Sequence, residues 1–175
     1  MYHNIVLIGM MGSGKSTIGR QISQQYDIQF SDTDTLIEQE INEPIRTFFD
    51  KHGEAAFRKI ETGCCKTLLT YKNHVIATGG GIVLAAINRD ILAKAGFIVY
   101  LYTPLEQILH RLEKDTTRPL LATPDKTTRI RELLEFRDPL YRATSHATID
   151  TTDTTPEALA TQIWRLYTIK NSTGI

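Results

Sequence analysis

The chain is poor in cysteine, in charge of one sign and in long apolar stretches, and each shortage excludes something. Among 175 residues there are two cysteines, Cys64 and Cys65, side by side in a stretch of helical period. Neighbours on a helix point in different directions, so bridging them would require distortion. Two thiols without a second pair do not make a zinc site. Both are expected to be reduced, at least one of them in the core. Twenty basic residues balance twenty acidic ones. No basic stripe calls for nucleic acid, and no acidic tail implies a disordered arm. Apolar runs last only a few residues, too short to span a membrane. The N-terminus enters a strand without a basic, then apolar, then small-residue segment, which predicts a cytoplasmic protein. No exposed apolar stripe is evident, which predicts a monomer. The length predicts one domain, 1–175, with a core that needs no staples.

Short β-rich runs alternate with longer stretches of helical period. Strands are predicted at 4–8, 28–30, 74–77, 97–102 and 147–149. Helices are predicted at about 16–26, 33–41, 45–50, 53–71, 84–95, 104–113, 126–143 and 156–169. This alternation, with strands apolar throughout, argues for a parallel sheet covered by helices on both faces. Two helix starts carry signals: Thr103-Pro104-Leu105-Glu106, a capping residue with proline and a glutamate three residues on, and Thr155-Pro156. The least structured segment, about 113–126, carries Arg118 and reads as a lid closing over a bound ligand.

The most informative residues are Gly9-Met10-Met11-Gly12-Ser13-Gly14-Lys15-Ser16-Thr17, directly after the apolar run Ile5-Val6-Leu7-Ile8. They match the phosphate-binding pattern G-x-x-x-x-G-K-[ST]. Glycines let backbone N–H groups close around an anion, and the following helix aims its positive end at the same point. Lys15 then reaches the terminal phosphates of a nucleotide and the Ser16 hydroxyl sits on Mg²⁺.

Four further clusters ask for a substrate. Asp32 and Asp34 stand at the end of the second strand, the edge where open α/β sheets hold ligands. One carboxylate can support the water shell of a metal while the other orients, or takes a proton from, a hydroxyl. The plainer alternative is an acidic cap on the next helix. A strand adjacent to the first would bring this pair to the phosphate loop. In Phe57-Arg58-Lys59-Ile60-Glu61, Glu61 can fix Arg58 as a fork for an anionic group, or the two can form a solvated surface pair. Gly79-Gly80-Gly81 ends the third strand and implies close approach of a ligand to bare backbone. In Arg137-Asp138-Pro139-Leu140-Tyr141 the proline should end or kink a helix, aiming Arg137 inward; an Arg137–Asp138 surface contact is the alternative.

In this order the segments GMMGSGKST, FSDTDTLIE, AFRKIE, VIATGGG, RPLL and FRDPLY resemble the shikimate kinase family, over roughly four-fifths of the chain. The resemblance implies a nucleoside-monophosphate-kinase-like α/β/α fold of three layers, a P-loop NTPase with a five-stranded parallel sheet of order 2-3-1-4-5. It implies transfer of the γ-phosphoryl group of ATP to the 3-hydroxyl of shikimate, a step toward chorismate and the aromatic amino acids, with one Mg²⁺ per subunit. The partners are then the small molecules ATP and shikimate, with no nucleic acid and no membrane. By the same resemblance Gly12, Ser13, Gly14, Lys15, Ser16, Thr17, Arg111 and Arg118 bind ATP, Arg111 lying against the adenine. Ser16 and, from the outer shell, Asp32 serve the metal. Asp34, Arg58, Gly79, Gly80, Gly81 and Arg137 bind shikimate, within a substrate segment at about 32–61 and beyond it. Lys15, Asp34 and Arg118 are the implied catalytic set.

The chain departs from the family in two places. Ala143 stands where a glutamate is frequent, and the run Asp150-Thr151-Thr152-Asp153-Thr154-Thr155-Pro156 lacks the basic residues of many members. A gluconate kinase would share the phosphate loop and lid but not the set Asp34, Arg58, triple glycine and Arg137. A nucleotide-dependent regulatory module would need a switch segment and a partner surface, for which the sequence offers no candidate.

Overall fold

A computed structural model describes residues 1–113 and 125–172. Five strands, β1 (Ile5–Ile8), β2 (Gln29–Asp32), β3 (His74–Ala77), β4 (Phe97–Tyr102) and β5 (Ala147–Asp150), form one sheet of order β2-β3-β1-β4-β5. Every pairing is parallel. The helices are α1 (Lys15–Tyr26), α2 (Thr33–Ile41), α3 (Ile45–Thr67), α4 (Ala86–Ala95), α5 (Leu105–Leu112), α6 (Lys126–Thr144) and α7 (Pro156–Ser172).

Side chains alternate across a strand, so a sheet covered on both faces needs apolar residues at every position. Val6, Ile8, Ile76, Ile98 and Tyr100 face one layer, with α4 and α6 residues such as Leu92 and Tyr141. Ile5, Leu7, Val75, Val99 and Leu101 face the other, against Ile18 and Ile22 of α1 and Leu159 and Ile163 of α7. A smaller cluster of Ile37, Phe57 and Cys64 holds α2 to α3. Cys64 and Cys65 are both free and buried, and burial pushes their thiols up to about 11 and about 12.

Several boundaries move for physical reasons. Thr103 does not cap α5: its hydroxyl pairs with Thr151 at 2.8 Å, and Pro104 takes the cap position without a side-chain bond. Thr155 does cap α7, accepting from the Ala158 N–H at 3.3 Å. The two helices expected at 45–50 and 53–71 are both present, running end to end as α3 across a break at Gly53 with φ 77° and ψ 173°. Pro139 does not end α6, which runs through it to Thr144. Nor is β2 the neighbour of β1: β3 lies between them, with Leu7 and Asp32 both paired to Ala77. The ends of β2, β3 and β1 therefore stand in one row, and the loops that follow them share one edge of the sheet.

Candidate active site

The phosphate loop forms between β1 and α1. Gly14, at the cap of α1, has φ 88°, a left-handed conformation that suits glycine. The Lys15 ammonium lies against its own loop, donating to the carbonyls of Gly9 and Met10 at 2.9 Å each and to Ser13 Oγ at 3.4 Å. Ser13 is wholly buried beneath the loop. Arg111 of α5 closes the outer side, donating to the Gly12 carbonyl at 3.1 Å and to Gln107 at 3.2 Å. A cleft of about 870 Å³ opens over this loop, lined by Lys15, Ser16, Thr17, Asp32, Thr78 and Arg111 among others.

Asp32 does two things at once. Its Oδ1 accepts from the Asp34 N–H at 3.0 Å, capping α2, and its Oδ2 accepts from the Ser16 hydroxyl at 2.6 Å. The cap and the link to the phosphate loop, posed as alternatives by the sequence, coexist on the two oxygens. Ser16 and Asp32 are hard oxygen donors beside a phosphate loop, a set that fits Mg²⁺, which takes one or two protein oxygens and keeps phosphates and waters for the rest.

A second cleft, of about 500 Å³, adjoins the first. Asp34 and Gly80 line both, so the two meet at a carboxylate and a stretch of bare backbone. Met11, Ile45, Phe49 and Phe57 form its apolar wall, and Arg58, Glu61 and Arg137 its charged one. The Arg58–Glu61 pair is not a solvated surface contact. Its N···O distance is 2.8 Å, and Glu61 is 2% exposed. Burial raises the Glu61 carboxyl above its ordinary range against the opposing pull of Arg58. Burial works against the Arg58 charge too, but Glu61 and Glu54 outweigh it and hold the guanidinium above its usual value.

The glycines of the third cluster are crowded by the protein's own side chains. A Cβ on Gly79 would stand 2.6 Å from Asp34 Oδ1, and one on Gly81 would run into the Arg58 guanidinium. The Gly79 N–H donates to Thr33 Oγ1 at 2.9 Å, which ties this turn to the start of α2. Arg137 is 2% exposed, and Asp138 does not pair with it but accepts from Arg142 Nε at 2.7 Å. Among the described residues no carboxylate forms an ion pair with Arg137, and its buried Nε has no hydrogen-bond partner. Glu61 feels its charge only from beyond ion-pair distance, and a buried guanidinium with no ion-pair partner beside a cleft favours an anion arriving there.

The structure thus gathers Lys15, Ser16, Asp32, Asp34, Arg58, Gly79, Gly80, Gly81 and Arg137 around two joined clefts, with Arg111 at the rim. Arg118 lies outside the described residues, as does most of the segment 113–126. Ala143 is exposed on α6. The apolar wall of Met11, Ile45 and Phe49 has no sequence signature, because two segments far apart in the chain, the phosphate loop and the start of α3, supply it together. The Tyr141 hydroxyl, which donates to the Gly80 carbonyl at 2.5 Å, was within a quoted motif, but its contact was not foreseeable from spacing.

A phosphate loop on a 2-3-1-4-5 parallel sheet, opening onto a second cleft with two arginines and a carboxylate, defines a P-loop kinase of small molecules. Residues 11–168 match the family described as shikimate kinase. A shikimate kinase of Caldanaerobacter subterraneus subsp. tengcongensis is 45% identical over 164 residues, covering 94% of this chain and 95% of that one. One from Acinetobacter baumannii is 42% identical over 163 residues, covering 93% and 91%. Among solved structures, shikimate kinase from Acinetobacter baumannii in complex with shikimate superposes with a TM-score of 0.93 at 41% identity, over 98% of this chain and 95% of that one. A gluconokinase from Sinorhizobium meliloti, at 18% identity and a TM-score of 0.62, shares the fold alone. The chain belongs to the shikimate kinase family.

Proposed function

We propose that this protein transfers the γ-phosphoryl group of ATP to the 3-hydroxyl of shikimate, as a cytoplasmic monomer of one domain spanning 1–175. The observation that carries the reading is Arg137: a buried guanidinium with no carboxylate partner among the described residues, lining a cleft that meets the phosphate-loop cleft at Asp34 and Gly80. That cleft suits a ring with one carboxylate and several hydroxyls. Arg137 and Arg58 take the carboxylate, Phe49, Phe57 and Ile45 pack the ring, and Asp34 faces the hydroxyl nearest the nucleotide.

Phosphoryl transfer needs alignment and charge stabilisation more than covalent chemistry. ATP enters over the amides of Gly12 to Thr17, and Lys15 exchanges the carbonyls of Gly9 and Met10 for phosphate oxygens. Ser16 and Asp32 would hold one Mg²⁺, Asp32 through the water shell of the ion. When bound, the ion supplies neutralisation of the phosphate charge. Asp34 orients the 3-hydroxyl in line with the γ-phosphorus or accepts its proton. Arg118 closes the set over the transferring group, a role that rests on the family motif RPLL. Among the described residues no helix is long and apolar enough to cross a membrane.

A coupled ADP-release assay with MgATP against a panel of hydroxy acids and nucleoside monophosphates tests the reading. Shikimate is expected to give turnover and the others little. Arg137→Ala is expected to raise the KM for shikimate by roughly a hundredfold, in line with a lost charged hydrogen bond, while that for ATP stays nearly constant. Equal losses for both ligands would remove Arg137 from the carboxylate.

A further inference from the structure

Tyr141 has no role in the proposed transfer, yet its hydroxyl reaches the backbone wall that both clefts share. It lies four residues after Arg137 on α6, on the same helix face, and is fully buried. Its hydroxyl donates to the Gly80 carbonyl at 2.5 Å, on the wall that both clefts share. The Arg137 guanidinium stands one helical turn back on the same face, close enough for its charge to act on the phenol. Burial pushes the phenol up to about 12, so at working pH it keeps its single proton and spends it on Gly80. What remains toward Arg137 is a lone pair, which suits a guanidinium that can only donate.

The ring is held as firmly as the hydroxyl. It stacks on Tyr100 of β4 with centroids 4.9 Å apart at 27°. The Tyr100 hydroxyl in turn donates to Asp138 Oδ1 at 2.8 Å, and Asp138 Oδ2 accepts from Arg142. Arg137 itself has no carboxylate to fix it among the described residues. We propose that Tyr141 is a positioning residue for the acceptor carboxylate: its hydroxyl sets the Arg137 fork at a fixed distance from the Gly80 backbone, so that a ring clamped at its acid end presents its hydroxyl to Asp34. This rests on the assignment of shikimate to the cleft.

The test is Tyr141→Phe, which keeps the ring and its stack, beside Tyr100→Phe, which removes an equally central hydroxyl without touching Gly80. With saturating MgATP, Tyr141→Phe is expected to raise the KM for shikimate roughly five- to tenfold, the scale of one hydrogen bond, with kcat and the KM for ATP changed less than about twofold. With the uncharged methyl ester of shikimate the variant and the wild type should match. Tyr100→Phe is expected to lower Tm and leave the KM for shikimate within about twofold. An unchanged KM in Tyr141→Phe, the same fold-loss for acid and ester, an equal rise in Tyr100→Phe, or failure of Tyr141→Phe to fold would each overturn the proposal. Wild-type turnover on shikimate checks the underlying assignment separately.

Discussion

Arg58 gives two of its donors, Nε and Nη2, to a single oxygen of Glu54, at 3.2 and 2.8 Å, while Nη1 goes to Glu61 at 2.8 Å. The two carboxylates are not equivalent. Glu61 is buried and cannot release its partner cheaply, whereas Glu54 is 48% exposed and screened by water. On the proposed function, an incoming carboxylate would take the Glu54 side of the fork. Glu54→Gln removes the competing charge and is expected to lower the Kd for shikimate by about two- to fivefold, the span of an exposed ion pair. Isothermal titration with shikimate measures it, and a weaker affinity in the variant would show that Glu54 supports the pocket instead of competing for it.

Lys15→Ala separates stability from chemistry. In the structure Lys15 satisfies two carbonyls of its own loop, a modest contribution that water can replace at the rim of an open cleft. Its charge has no substitute in the transfer. Phosphoryl transfer to shikimate is expected to fall by at least about 10³-fold, with a circular dichroism spectrum like that of the wild type. Retained turnover would mean that the phosphate loop is not the seat of the reaction.

Gly81→Ala tests how tightly the third cluster is packed. The new Cβ would overlap the Arg58 guanidinium, which is held by Glu61 and Glu54 and has little freedom to retreat. The expected cost is roughly 1–3 kcal/mol of stability, the range for overpacking. Shikimate should also bind more weakly as Arg58 is displaced. Thermal denaturation and a KM for shikimate read the two effects; neither changing would mean that the turn relaxes freely.

Much of this architecture was legible because it follows local rules. Continuous apolar runs such as Ile5 to Ile8 cannot face water on either side, so they demanded a doubly covered parallel sheet. The phosphate loop was legible because glycine, lysine and serine are each required at one position by the geometry of an anion nest. The strand order and the substrate came from the family resemblance, not from periodicity. What stayed hidden depended on distant pairs. Thr103 had a capping pattern, yet Thr151 across the β4–β5 edge claimed its hydroxyl. Pro139 offered either an end or a kink, and only the structure shows the buried face of Leu133, Arg137 and Tyr141 carrying α6 through it. The triple glycine promised bare backbone, and only the structure shows that Asp34 and Arg58 crowd it.

The last expectation concerns pH and lies far from the clefts, at His146. Its Nδ1 accepts from the Ile98 N–H at 2.9 Å, between β4 and the start of β5, and its ring packs on Tyr2 and Phe97. An imidazolium cannot accept there, because both ring nitrogens then carry hydrogen. Burial lowers the His146 pKa, with the nearby Lys170 charge adding to it. A histidine depressed in the folded state binds its proton more readily when unfolded. The stability it contributes is complete above the unfolded value of about 6.5 and is lost as pH falls through the folded one. Between pH 7.5 and pH 5 the wild type should therefore lose more Tm than His146→Asn, whose amide oxygen replaces Nδ1 as acceptor but does not titrate. The comparison is of the two slopes, since the variant also loses ring packing and begins from a lower Tm. Parallel slopes in differential scanning fluorimetry would take His146 out of the acid sensitivity of this fold.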